Sequence, residues 1–184
     1  MTRKPAKPAT GATREFAKGT KVETERTVKE VEKLIRQYGG EKFSQGWDGQ
    51  REWVAFQMEG KIIRFVVHVP APSEDKYRLK QNGSRPATKR SMEEALGLVE
   101  QEVMRRWRAL ALLLKAKLVG IAEGDRTVMQ EFGMDMVIPI RDPETGQYTE
   151  ATMHEYIAEQ IEDAYRGGPP PSLTPGESQK YLRG

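Results

Sequence analysis

Two Xaa-Gly pairs, Asp48-Gly49 and Glu59-Gly60, punctuate a stretch in which apolar and polar residues alternate. This pattern constrains the fold more than any other feature of the chain. Residues Phe43–Trp47, Trp53–Met58 and Ile62–Val69 read as three strands. Asp48-Gly49 is a strong hairpin signal, because the turn needs backbone with φ > 0, and Glu59-Gly60 is a weaker one of the same length. Val54, Phe56 and Met58 share one face, as do Ile63, Phe65, Val67 and Val69. Ile62, Arg64, Val66 and His68 take the other face, and Pro70 closes the third strand. An antiparallel meander with one face packed on helices is expected.

Helices flank it. Thr27 and Glu30 have capping-box spacing, and Val28, Val31, Leu34, Ile35 and Tyr38 recur on one helical face before Gly39-Gly40. Ser91 and Glu94 repeat the box and open a long helix to about Val119, striped by Leu96, Val99, Val103, Trp107, Leu110 and Leu114. Its second half, WRALALLLKAKL, is apolar nearly all round and is expected to be the central core helix. Thr127 with Gln130 and Thr152 with Glu155 cap two shorter helices, and Met136–Ile140 is a candidate strand between them. The fold class is therefore α+β: an N-terminal helix, a three-stranded antiparallel meander, a long central helix and two shorter helices. Residues 23–166 form one domain. Residues 1–22 are a basic tail read as disordered, because their polar composition offers little apolar area to offset ordering entropy. Residues 167–184 are a Pro/Gly-rich tail, and 70–90 a long basic loop without periodicity.

Composition removes several functions. The chain of 184 residues has no Cys, which excludes disulfides, thiol catalysis and Cys-ligated zinc. Its longest apolar run, Ala109–Leu114, falls far short of the ~18 residues of a membrane span. The basic N-terminus lacks an apolar signal core, so a cytoplasmic protein without membrane partners is expected. No phosphate-binding glycine motif or nucleophile elbow is present. His154-Glu155 begins like a zincin helix, but Ala158 stands where the second His belongs. Asp142, Glu144, Glu150, Glu155, Glu159, Glu162 and Asp163 are all oxygen ligands, yet they lack EF-hand spacing and read as a solvated face. No catalytic residue, metal or cofactor is expected.

The net charge of +3 hides a strong division along the chain. Residues 1–22 hold six Lys/Arg against Glu15, and 70–90 hold six against Glu74 and Asp75. Residues 120–166 hold three against eleven Asp/Glu. Such asymmetry suits separate anion-facing and cation-facing surfaces. Lys76, Arg78, Lys80, Arg85, Lys89 and Arg90, with Arg51 and Arg64 from the meander, would neutralise phosphates, and Tyr77 or Trp47 would stack on a base. The bland reading is that these charges only solubilise the protein.

The sequence also resembles a family of small uncharacterised proteins of phages, prophages and bacteria. The resemblance rests on Gly46-Trp47-Asp48, Phe56-Gln57-Met58-Glu59-Gly60, Ile63-Arg64-Phe65-Val66, the segment Arg106–Leu118 and the Pro-Ser-Leu-Thr-Pro-Gly tail at 171–176. It covers about residues 24–176 and departs at 120–150, where this chain is longer and richer in Met. It implies a phage-type context and brings no activity or site residues. The expected function is thus a non-enzymatic accessory protein that binds single-stranded nucleic acid in replication or recombination. The rival is a protein-interaction module or inhibitor of a host factor, acting through Glu155, Glu159, Glu162 and Asp163. The acidic third would then contact a protein partner or a neighbouring subunit of a homo-oligomer.

Overall fold

The computed structural model describes residues 12–82, 85–142 and 145–170, with side-chain environments from Thr24 onward except at 81–85. The chain runs α1 (Ala12–Gln37), β1 (Glu41–Trp47), β2 (Arg51–Met58), β3 (Lys61–His68), α2 (Asp75–Arg78), β4 (Leu79–Asn82), β5 (Arg85–Lys89), α3 (Met92–Ala122), α4 (Val128–Phe132), a 3-10 turn (Gly133–Asp135), β6 (Val137–Arg141), β7 (Tyr148–Thr152) and α5 (Met153–Tyr165). The fold is α+β.

The meander forms as its alternation dictates. β1, β2 and β3 are consecutive and antiparallel. Val54, Phe56, Met58, Ile63, Phe65 and Val67 are buried on one face. The register places Trp53 opposite Val66, Ala55 opposite Arg64 and Arg51 opposite His68 on the other. The second turn takes Glu59 at φ 49° and Gly60 at φ 75°, the left-handed pair a two-residue hairpin demands. In the first turn the closing pair is Asp48 and Arg51, so its centre is Gly49-Gln50, one residue later than expected. Asp48 explains the shift: its carboxylate accepts from the backbone N–H of Gln50 and Arg51.

The helices cover the apolar face. Val28, Val31 and Ile35 of α1 join Val99, Val103, Trp107, Leu114 and Leu118 of α3 and the sheet in one core. Ser91 caps α3 through the full box with Glu94, and Thr127–Gln130 and Thr152–Glu155 form theirs. The sheet is extended beyond β3 by one bridge, Ile63 to Met136, and β6 and β7 form a hairpin there. Phe132 fills the joint, edge-on to Phe56 at 5.8 Å and to Phe65 at 5.9 Å.

Three expectations need correction. Thr27 does not start α1; the helix runs from Ala12, so of the tail assigned to 1–22, residues 12–22 are helical and 1–11 lie outside the described residues. The segment is rich in Ala, Lys, Arg and Glu, which favour helix without needing burial. The loop at 70–90 contains α2 and a hairpin in which Leu79 faces Lys89 and Asn82 faces Arg85. Finally, the second half of α3 is not buried all round: Leu112 is 71% and Leu113 47% exposed. The Pro/Gly-rich segment from 171 onward lies outside the described residues.

Candidate functional site

The basic residues expected to hold phosphates are mostly engaged within the protein. Arg51 pairs with Asp48 at 2.8 Å and Arg78 with Asp75 at 3.1 Å, both at i,i+3 spacing. Arg64 reaches across to α5 and meets Glu155 at 3.0 Å. Arg90 donates to the carbonyls of Tyr77 and Leu79 and so ties α2 to the hairpin behind it. Tyr77 is only 4% exposed and belongs to the core, so it offers no stacking platform. Lys80 and Lys89 are exposed on the hairpin; the side chain of Arg85 lies outside the described ones. Nor do these groups form one patch. Arg51 and Arg64 stand on the sheet face turned away from α1 and α3, whereas Lys76 lies 4.0 Å from Glu102 of α3.

Glu102 organises that side of the molecule. Arg105 binds it with two hydrogen bonds of 2.8 Å, and Arg106 adds one of 3.0 Å while its other nitrogen holds the His68 carbonyl. The hydrogen bonds from Arg105, then Arg106, outweigh burial and hold the Glu102 carboxyl down to about 2, from an ordinary 4.5. Because the folded-state value lies below the unfolded one, this stabilisation is complete above the unfolded value and is lost as pH falls through about 2. Melting temperatures of the wild type and Glu102→Gln should therefore converge as the solution is acidified over that window; parallel curves would contradict the assignment.

The acidic residues expected to contact a partner are divided. Glu155 closes its own helix: its carboxylate accepts from the Thr152 N–H and from Arg64, which lowers its pKa. Glu162 and Asp163 both lie within ion-pair reach of Arg166. Glu159 is exposed on the same helix. Among the described residues no three His, Cys, Asp or Glu gather as a metal site, and no helix is long and apolar enough to cross a membrane.

The concave feature with the most distinctive chemistry lies elsewhere. A groove of about 670 Å³ opens between the helical layer and the β1–β2 end of the sheet, a size typical of ligand sites. Trp47 and Trp107 line it from the helix side, and Trp53, whose side chain lies on the opposite sheet face, borders it at the strand. Three carboxylates, Glu25, Glu52 and Glu100, line it too, and among the described residues no Lys, Arg or His does. Trp107 forms the buried floor, with its indole N–H donated to Glu52 Oε2 at 2.5 Å. Trp47, at the end of β1, is 71% exposed. Glu100 Oε2 is buried without a hydrogen-bond partner among the described residues, a costly arrangement for a carboxylate.

Gly46 shapes this end of the sheet. A Cβ there would stand 2.1 Å from the Trp53 ring, so only glycine lets the indole cross β1. Gly46→Val should displace Trp53 and cost about 1–3 kcal/mol, read as a lower denaturation midpoint with a shifted tryptophan emission; an unchanged midpoint and spectrum would refute that packing role. The sequence marks Trp47 as a stacking residue and Trp107 as part of the α3 stripe, but no local pattern marks Glu52 or Glu100. No family model, curated protein or solved structure matches the chain.

Proposed function

We propose that the protein is a binding module without chemistry of its own, whose groove takes a Lys- or Arg-bearing segment of a partner protein. One observation carries this reading: the indoles of Trp47 and Trp107 and three glutamates line a single groove with no cationic side chain among the described lining residues. A cation over an indole face gains about 0.5–2 kcal/mol, more as water is excluded. The carboxylates select positive charge and accept hydrogen bonds from an ammonium or guanidinium donor. This keeps the protein-interaction reading but moves it from the acidic α5 to the groove.

The test is calorimetric titration of the full chain with a hexa-arginine peptide and with a neutral peptide of equal length. Selective, salt-sensitive binding of the cationic peptide is expected. Trp47→Ala should weaken it about tenfold, and Glu25→Lys, a surface change, should weaken it too. Equal affinity for both peptides, or indifference to both substitutions, would overturn the proposal.

A second reading has its own observation. Lys80 and Lys89 are exposed on the β4–β5 hairpin, and single-stranded nucleic acid would meet them there, as expected of a phage-type accessory protein. The variant Lys80→Glu/Lys89→Glu should then abolish salt-dependent binding of an oligonucleotide and leave peptide binding intact.

A further inference from the structure

Helix α3 carries an apolar face on its outer side. Arg105, Ala109, Leu112, Ala116, Val119 and Glu123 follow the alternating four-three spacing that keeps residues on one side of a helix. That side is opposite the one through which Val103, Trp107, Leu114 and Leu118 enter the core. Leu112 is 71% exposed at its centre, beside Leu113 at 47%, where a solvent-facing helix would carry polar residues.

The ends of this face carry opposite charges. Arg105 is 69% exposed and shares one carboxylate, Glu102, with Arg106 and Lys76, so positive charge is in excess there. Glu123 sits at the C-terminal cap of α3, and the last turn holds no basic residue. An acidic group at that end is unfavourably placed against the helix dipole unless a cation meets it.

We infer that this face is the contact between two copies of the chain, packed with their α3 helices antiparallel. The face is self-complementary only in that sense. Arg105 then meets the partner copy's Glu123, Ala109 its Val119, and Leu112 its Ala116, and all three pairings share one midpoint at Leu114. The alanines let the helices approach while Leu112 fills the space between them. A two-fold contact of this kind closes on itself. Because the groove lies on the core side of α3, both copies keep it open, and the inference stands independently of what the groove binds.

Sedimentation equilibrium of the full chain tests it. The wild type should associate reversibly to a dimer in the micromolar range. Leu112→Glu should raise the dissociation constant more than tenfold. Arg105→Glu and Glu123→Arg should each weaken the dimer, and the two together should restore it, since the reversed charges again meet. Circular dichroism and peptide binding serve as controls for folding and for the groove. A wild type that stays monomeric at several hundred micromolar, a dimer indifferent to Leu112→Glu, or a double variant no better than the singles would overturn it.

Discussion

Replacing Trp107 by Ala should cost about 3–5 kcal/mol of stability and abolish the groove. The indole is 2% exposed at the centre of the core, where α3 crosses the sheet, so deletion leaves a cavity that neighbours fill only in part. It also strips Glu52 of the N–H that its carboxylate accepts from, and a half-buried carboxylate loses more than a neutral acceptor would. Trp107→Phe separates the two terms. It keeps much of the packing but removes the donor, so its midpoint in chemical denaturation should fall between wild type and Ala. A Trp107→Ala variant less than about 1 kcal/mol below wild type would show that the residue is not the floor of the core.

Phe132→Ala should be comparably severe, about 3–5 kcal/mol, for a different reason. Phe132 is fully buried and contacts Phe56 and Phe65 edge-on, with Lys117 Nζ 5.2 Å from its ring. Lys117 in turn donates to the Glu131 carbonyl and lies 3.9 Å from Asp135. Burial raises the Asp135 pKa while Lys117 opposes the rise. The acidic third is therefore fastened to the sheet by one aromatic joint and the ion pairs around it, together with the Ile63–Met136 bridge and the Arg64–Glu155 pair. Losing the ring should unfasten that third before the meander unfolds. Hydrogen exchange should accelerate in β6, β7 and α5 of the variant more than in β2 and β3. Uniform acceleration would mean that the two parts unfold as one unit.

Where period and punctuation act locally, the sequence was a reliable guide. The alternation in β2 and β3 predicts which residues are buried, and the boxes at Ser91, Thr127 and Thr152 form as their spacing requires. The box at Thr27 does not, because the helix-forming residues before it carry the helix past any cap. The hairpin at 79–89 was obscured by its charge. Its Asn82-Gly83 pair is a turn signal, but the flanking Lys and Arg offered no alternation to frame it. β7, with the polar sequence Tyr-Thr-Glu-Ala-Thr, gave no strand signal; its partner β6 supplies the reason it forms.

The candidate site was legible only in pieces. Arg51 and Arg78 each have an Asp three positions earlier, a spacing that could have marked them as neutralised. Arg64–Glu155 and Trp107–Glu52 join residues 91 and 55 positions apart, and no local pattern reports such pairs. The groove likewise exists only because the fold brings the start of α3, the end of β1 and the middle of α1 together. A count of tryptophans gave no hint that Trp47 and Trp107 would share it.

The most direct test of that groove as a binding site is the indole N–H region of an ¹⁵N-correlated spectrum, which should contain three resonances because the chain has three tryptophans. Titration with hexa-arginine should shift the Trp47 signal most and the Trp107 signal measurably, while a single-stranded oligonucleotide leaves all three in place. Indoles that ignore the peptide while backbone amides around Lys80 and Lys89 respond to the oligonucleotide would contradict the groove as the binding site.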